Sequence, residues 1–317
     1  MKVAHSGSLA LPDGGAVITV GTFDGVHRGH QDVLNHLVER SLQLGIPSVV
    51  ITFEPHPLEV VRPESAPPLL TLMHEKLEVL AQTGVSYVAV LPFTPDFARM
   101  EAEDFVDRVL RERFAVTELL VGYDHGFGRG RLGDTDVLRS LGAERGFAVT
   151  VLPAVHSVDG RNLSSTAIRK AVSAGDLAVA SAGLGRPYSI SGHVVHGDER
   201  GRSIGYPTLN LSEQPTRKLL PPEGVYAVRV QLPGGSHGGM LNLGPRPTFG
   251  DARCRIETHV FDASGDWYGA PVRLDFMTFL RGTRPFSGID ALREQLAADE
   301  IAARAALARL AAVGPTG

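Results

Sequence analysis

The hydrophobic period changes partway along this chain, and that change limits the possible folds more than any other feature. Up to about residue 152, short apolar runs alternate with amphipathic stretches. Ala16–Val20, Ser48–Phe53, Tyr87–Leu91, Glu118–Val121 and Ala148–Leu152 read as buried strands. Asp32–Val38, Glu75–Ala81, Ala102–Phe114 and Asp134–Arg145 carry helical spacing between them. Such alternation predicts an α/β domain whose parallel sheet is covered on both faces. Beyond residue 185, Tyr226–Leu232, Arg255–Phe261 and Val272–Phe279 alternate at period two, as half-exposed antiparallel strands do. Pro233–Gly239 reads as a flexible connection, and Ile289–Leu310 as a long Ala-rich helix with Ser287 and Asp290 at a capping-box-like start. The second half is therefore expected to be a small antiparallel β-barrel with a C-terminal helix. At 317 residues two domains are expected, 1–184 and 185–317, with the helix 176–184 finishing the first.

A net charge of −4 argues against a nucleic-acid polymer as partner but leaves room for a small anion in a local pocket. The single cysteine, Cys254, excludes an intrachain disulfide framework and fits a reducing cytoplasm. No apolar run approaches bilayer-spanning length, so no membrane partner is expected.

The sharpest local signal is Gly21-Thr-Phe-Asp-Gly-Val-His-Arg-Gly-His-Gln31, between the first long strand and a helix. Free N–H groups and the dipole at a helix N-terminus favour anions. Gly25 and Gly29 let a ligand approach the main chain, and His27 and His30 add two imidazoles at that end. Neither a P-loop nor a G-x-G-x-x-G fingerprint is present. A zinc pair would need a third ligand that neither the distant Cys254 nor an H-E-x-x-H pattern supplies. The bland alternative, two loop histidines beside a cap, gives way to phosphate handling once Asp24 and the two glycines are counted.

Three further stretches fall in the same half. Phe53-Glu-Pro-His-Pro57 follows a strand, and Phe53 offers an aromatic face or a core ring. The glycines of Val121–Arg131 suit backbone contact with a ligand, a solvated surface loop being nearly as good a reading. In Leu163-Ser-Ser-Thr-Ala-Ile-Arg169, Ser164 or Ser165 can cap a helix with Arg169 one turn on, a polyphosphate grip or a plain cap. In the second half, Thr208 and Asn210 stand two apart and share a face if extended. Their oxygens are hard neutral donors, suited to Mg²⁺ that already carries phosphate. Glu257 is a strand carboxylate of the kind a kinase needs to accept an alcohol proton, although most such groups simply face solvent.

His-x-Gly-His after a strand resembles the nucleotidylyltransferase superfamily signature, and its longer form is similar to that of bacterial bifunctional riboflavin kinase/FAD synthetases. The resemblance extends through Gly201-Arg-x-x-Gly-Tyr-Pro-Thr-x-Asn210, Pro222-Glu-Gly-Val-Tyr226, Asn242–Phe249 and Arg281–Phe286. It implies a nucleotidylyltransferase-like Rossmann domain and a kinase barrel. It also implies conversion of riboflavin to FMN and of FMN to FAD, with ATP and Mg²⁺. His27, His30, Gly25, Gly29, Ser164, Ser165, Thr166 and Arg169 would then hold ATP phosphates. Phe53, Asp124 and Phe127 would line the flavin, Thr208 and Asn210 would hold the metal, and Glu257 would be the base. The rivals are a nucleotidylyltransferase for another phosphorylated acceptor and a flavin sensor without catalysis.

Overall fold

In a computed structural model, residues 1–5, 11, 14–122, 135–153, 163–197, 200–212, 217–245, 254–263 and 265–313 are described. The chain divides into two compact units, Met1–Ser165 and Thr166–Gly317.

In the first unit the elements run β1 (Lys2–His5), β2 (Ala16–Val20), α1 (Arg28–Leu44), β3 (Ser48–Glu54), α2 (Pro57–Val61) and α3 (Met73–Ala81). They continue through β4 (Tyr87–Pro92), α4 (Pro95–Ala98), α5 (Ala102–Asp104), β5 (Val116–Gly122), α6 (Thr135–Arg145) and β6 (Ala148–Leu152). All six strands lie parallel in the order β1-β4-β3-β2-β5-β6. Adjacent residues of β2 feed opposite cores. Ile18 and Val20 pack with Val106, Leu110 and Phe114, and Val17 with Leu34, Leu37 and Leu80. Two-sided burial is why the strands read as continuous apolar runs rather than alternations.

From β2 the chain winds out through β3 to β4, then crosses back to place β5 on the other side of β2. The winding direction therefore reverses between β2 and β5, and ligands of open α/β sheets bind at the strand carboxyl ends beside such a reversal. The His27–His30 loop leaves β2 at this point. The residues that follow β5, Asp124 and Phe127 among them, lie outside the described residues.

Two local expectations are corrected. The helix anticipated over 102–114 is a short α5 followed by a π-helical segment, Phe105–Arg111, whose Phe105, Val106, Val109 and Leu110 still reach the core. A strand the periodicity did not reveal, β1, pairs with β4 at the sheet edge.

In the second unit α7 (Ser165–Ser173) and α8 (Leu177–Leu184) precede β7 (Tyr188–Val195), α9 (Arg200–Ser203), β8 (Leu209–Leu211) and β9 (Gly224–Leu232). Then come β10 (Gly235–Pro245), β11 (Cys254–Val260), β12 (Pro271–Arg281) and α10 (Ile289–Val313). The strands close an antiparallel barrel in the order β10-β11-β8-β7-β12-β9. Asp176 caps α8, its Oδ1 accepting from Val179 N–H at 3.1 Å, and α8 packs on β7 and β12 of the barrel. Pro233–Gly239 is no flexible link. Leu232 and Gly235 are paired, and β10 begins at once. Along α10, Ala303 and Ala306 pack against Ala227, Met240 and Phe261, and Arg281 and Arg304 pair with Asp299 and Asp262. Among the described residues no helix is long and apolar enough to cross a membrane.

Candidate active sites

The loop after β2 is built to hold two imidazoles at the head of α1. Gly25 has φ +82°, a left-handed conformation that glycine adopts without penalty. Asp24, almost fully buried, clips the loop to the segment before α3. Its carboxylate accepts from Leu70 N–H at 3.1 Å, from Thr71 N–H at 3.0 Å and from the Thr71 hydroxyl at 3.3 Å. That hydroxyl also accepts from Gly25 N–H at 2.9 Å. Asp24 is therefore a brace for the loop.

His27 is the N-cap of α1, its Nδ1 accepting from His30 N–H at 3.3 Å. An accepting Nδ1 places the neutral ring's proton on Nε2. Gly29 lies against that ring, since a Cβ there would sit 3.2 Å from its nearest atoms. The His27 and His30 rings stack with centroids 3.7 Å apart, and Phe23 packs on His30 at 5.1 Å. Burial first, then His27 and Lys76, push the His30 imidazole well below the ordinary histidine pKa. Its Nδ1 is buried and has no hydrogen-bond partner among the described residues. A buried polar atom of this kind calls for an explanation, and at a helix N-terminus an anionic ligand supplies one.

Depressing the His30 pKa carries a consequence for stability. The unfolded chain binds a proton near pH 6.5 that the folded chain refuses, so stability is full above that pH and falls as pH drops through it. The slope is at most about 1.4 kcal/mol per pH unit for one proton. Chemical denaturation at pH 8, 6 and 5 should accordingly show a shallower acid loss for His30→Gln than for the parent. Equal slopes would contradict the assignment.

Ser165, the first residue of α7, donates its hydroxyl to the Asp24 carbonyl at 2.9 Å, joining the Leu163-Ser-Ser segment to the loop. Ser164 stands just before it, and Thr166 and Arg169 continue α7, Arg169 one turn beyond Ser165. Phe53 is half-buried in an aromatic cluster with Phe93 and Phe97, centroids 5.4 and 5.6 Å away, and packs on the core. Its core role is thus observed.

In the barrel, Glu257 pairs across the sheet with Asn242 on one side and Asn210 on the other. Directly paired residues share a face, so an amide–carboxylate–amide row crosses three strands, opposite the face carrying buried Leu241, Leu243, Ile256 and Thr258. Glu257 accepts from Arg255 at 3.0 Å, and both side chains keep only about a quarter of their surface exposed, 28% and 24%. The segment ahead of Asn210 is held on the same face, with His259 Nδ1 2.7 Å from the Pro207 carbonyl. A carbonyl only accepts, so His259 carries its proton on Nδ1. Sequence reasoning singled out neither Asn242, Arg255, His259 nor Lys76 as a site residue. The period-two spacing of Arg255, Glu257 and His259 was the available signal.

Gly197 lies on Asn210 so closely that a Cβ would sit 2.0 Å from the amide nitrogen. Gly197→Ala must displace that side chain. Misplacing a substrate-positioning group costs about a hundredfold. If this row serves the riboflavin kinase reaction that the sequence resemblance implies, riboflavin phosphorylation should fall on that scale with FMN adenylylation from supplied FMN unchanged, both measured by chromatography of the flavins.

Both halves of the chain match known proteins. Residues 11–167 match the FAD synthetase family and residues 184–307 the riboflavin kinase family. The bifunctional riboflavin kinase/FMN adenylyltransferase of Escherichia coli strain K12 is 41% identical over 299 residues, spanning 92% of this chain and 93% of that protein. The chain belongs to that family. The Pseudomonas fluorescens member is also 41% identical, over 292 residues, with 92% of this chain and 93% of that protein covered. A solved structure from Streptococcus pneumoniae, described as a macrolide-efflux protein, matches with TM-score 0.84 at 30% identity, over 96% of this chain and 99% of that one. The bifunctional riboflavin kinase/FMN adenylyltransferase carries two activities on one chain, with riboflavin, FMN and ATP as substrates. Neither a different acceptor nor a sensor without catalysis is favoured by these matches.

Proposed function

We propose that FMN is adenylylated at the His27–His30 loop and riboflavin phosphorylated at the Asn210–Glu257 row, with residues 1–184 serving the first reaction and 185–317 the second. The observation that carries the first assignment is the stacked imidazole pair at the head of α1, with a buried nitrogen on His30 that has no partner among the described residues. A neutral imidazole donates one N–H to a phosphate oxygen. Gly29 brings its main-chain N–H to the same anion, Gly25, whose own N–H is held by Thr71, lets the ligand approach the main chain, and Ser164, Ser165, Thr166 and Arg169 complete the grip on the triphosphate. An FMN phosphate oxygen attacks the ATP α-phosphorus in line, and pyrophosphate leaves as the α–β bridging bond breaks. Positioning and charge neutralisation carry such a transfer without a covalent enzyme intermediate. Phe53, with Asp124 and Phe127, is assigned to the flavin side.

In the barrel, Glu257 accepts the proton of the riboflavin hydroxyl as that oxygen attacks the ATP γ-phosphorus, and ADP departs. Arg255 holds the carboxylate in place. A threonine hydroxyl and an asparagine oxygen are hard neutral donors and fit a small divalent cation brought in on phosphate oxygens. Thr208 and Asn210 would hold Mg²⁺ there, and when bound it would neutralise charge on the transferring phosphoryl group. A cytoplasmic setting accords with dependence on ATP.

Incubation with riboflavin and MgATP alone, followed by separation of the flavins, tests the reading. FMN should appear first and FAD after it. Absence of FMN would remove the kinase assignment.

A further inference from the structure

Lys76 stands on α3 with only 6% of its surface exposed. Its Nζ donates to the Thr22 carbonyl at 2.7 Å and lies 3.4 Å from the Thr52 hydroxyl, which itself donates to that carbonyl at 3.1 Å. Thr22 is the root of the loop that bears His27 and His30. A buried ammonium normally has a carboxylate partner. Here none makes an ion pair with it among the described residues. Asp24 is committed to Leu70 and Thr71, and Glu54 acts only from a distance.

We propose that Lys76 is a positioning residue for adenylyl transfer: its buried ammonium pins the root of the His27–His30 loop and leaves there a positive charge whose counter-charge arrives with the nucleotide's phosphates. The proposal rests on the assignment of the nucleotide to this loop. It does not require Lys76 to touch the ligand. The groups that set the local balance are His27 on α1, Lys76 on α3, and Asp24 and Glu54 facing the lysine. Burial lowers the lysine pKa while the two carboxylates oppose that shift, and the ammonium in turn repels a proton from His30. Incoming phosphate reverses the electrostatics for both groups, favouring the charged lysine.

Lys76→Met tests this in the full-length protein, with riboflavin phosphorylation measured alongside as a check on folding. The KM for ATP in FMN adenylylation should rise about tenfold, the equivalent of one pKa unit of charge interaction. The acid limb of that reaction's pH profile should move to higher pH, because His30 accepts a proton more readily. Lys76→Arg should restore most of both effects. A lower melting temperature with unchanged ATP KM and an unmoved acid limb would overturn the proposal. So would an arginine variant no better than methionine.

If Lys76→Met loses both activities, nuclear magnetic resonance on the unaltered protein decides. Addition of ATP should shift the His30 ring signals and raise the titration midpoint of the Lys76 ammonium. Movement of His30 without a change at Lys76 would refute the role of the lysine alone. Saturation with ATP that left the His30 signals unmoved would refute the placement of the nucleotide.

Discussion

Replacing His30 with alanine is expected to stop FAD formation while FMN continues to accumulate from riboflavin and MgATP. The side chain removed packs between His27 and Phe23 and carries the buried nitrogen that has no hydrogen-bond partner among the described residues. Losing one preorganised donor to developing charge costs about 10²–10³ in rate. The stacked neighbour loses its partner too, so the upper end of that range is expected. The row proposed for riboflavin phosphorylation is on strands β8, β10 and β11 of the other compact unit, none of which includes this residue. FMN should therefore form at close to the parental rate in a time course of separated flavins. Loss of both steps in a folded variant would contradict the assignment of separate sites.

Glu257→Gln should do the reverse. The amide is nearly the same size, so strand pairing with Asn242 and Asn210 survives, but it cannot accept the alcohol proton and gives Arg255 a weaker partner. A general base contributes about 10²–10⁴. FMN formation from riboflavin should fall by that factor, while FAD formation from supplied FMN should be unaffected. If the glutamine variant phosphorylated riboflavin at the parental rate, Glu257 would be no more than a partner for Arg255.

Much of the fold was legible because its signals are local. Runs buried on both faces announced the parallel sheet, and period-two runs announced the barrel. Elements that depend on distant partners were not legible. Lys2–His5 becomes a strand only because β4 offers it an edge. Four apolar residues in 105–111 fit an α-helix or a π-helix equally well, and packing against the sheet decides between them. The glycines of 233–239 looked like a flexible link because they carry no side-chain period. Three of them, Gly235, Gly238 and Gly239, lie in β10, where Gly238 leaves room for Leu307 of α10, 2.9 Å from where its Cβ would be.

The sites divide the same way. His27, His30 and their glycines lie within one loop, so sequence spacing exposed them. Helical spacing over Glu75–Ala81 says nothing of where Lys76 points, and only the tertiary fold aims it inward at Thr22. Asn242 and Gly197 meet Glu257 and Asn210 through strand register and chain crossing, which spacing does not encode.

Mixing the His30→Ala and Glu257→Gln proteins gives the most direct test. Neither alone should convert riboflavin to FAD, but together, with riboflavin and MgATP, they should produce it, because FMN released by the first is a substrate for the second. A mixture that accumulates FMN without FAD, although the glutamine variant makes FAD from added FMN, would contradict two independent centres joined by a free intermediate.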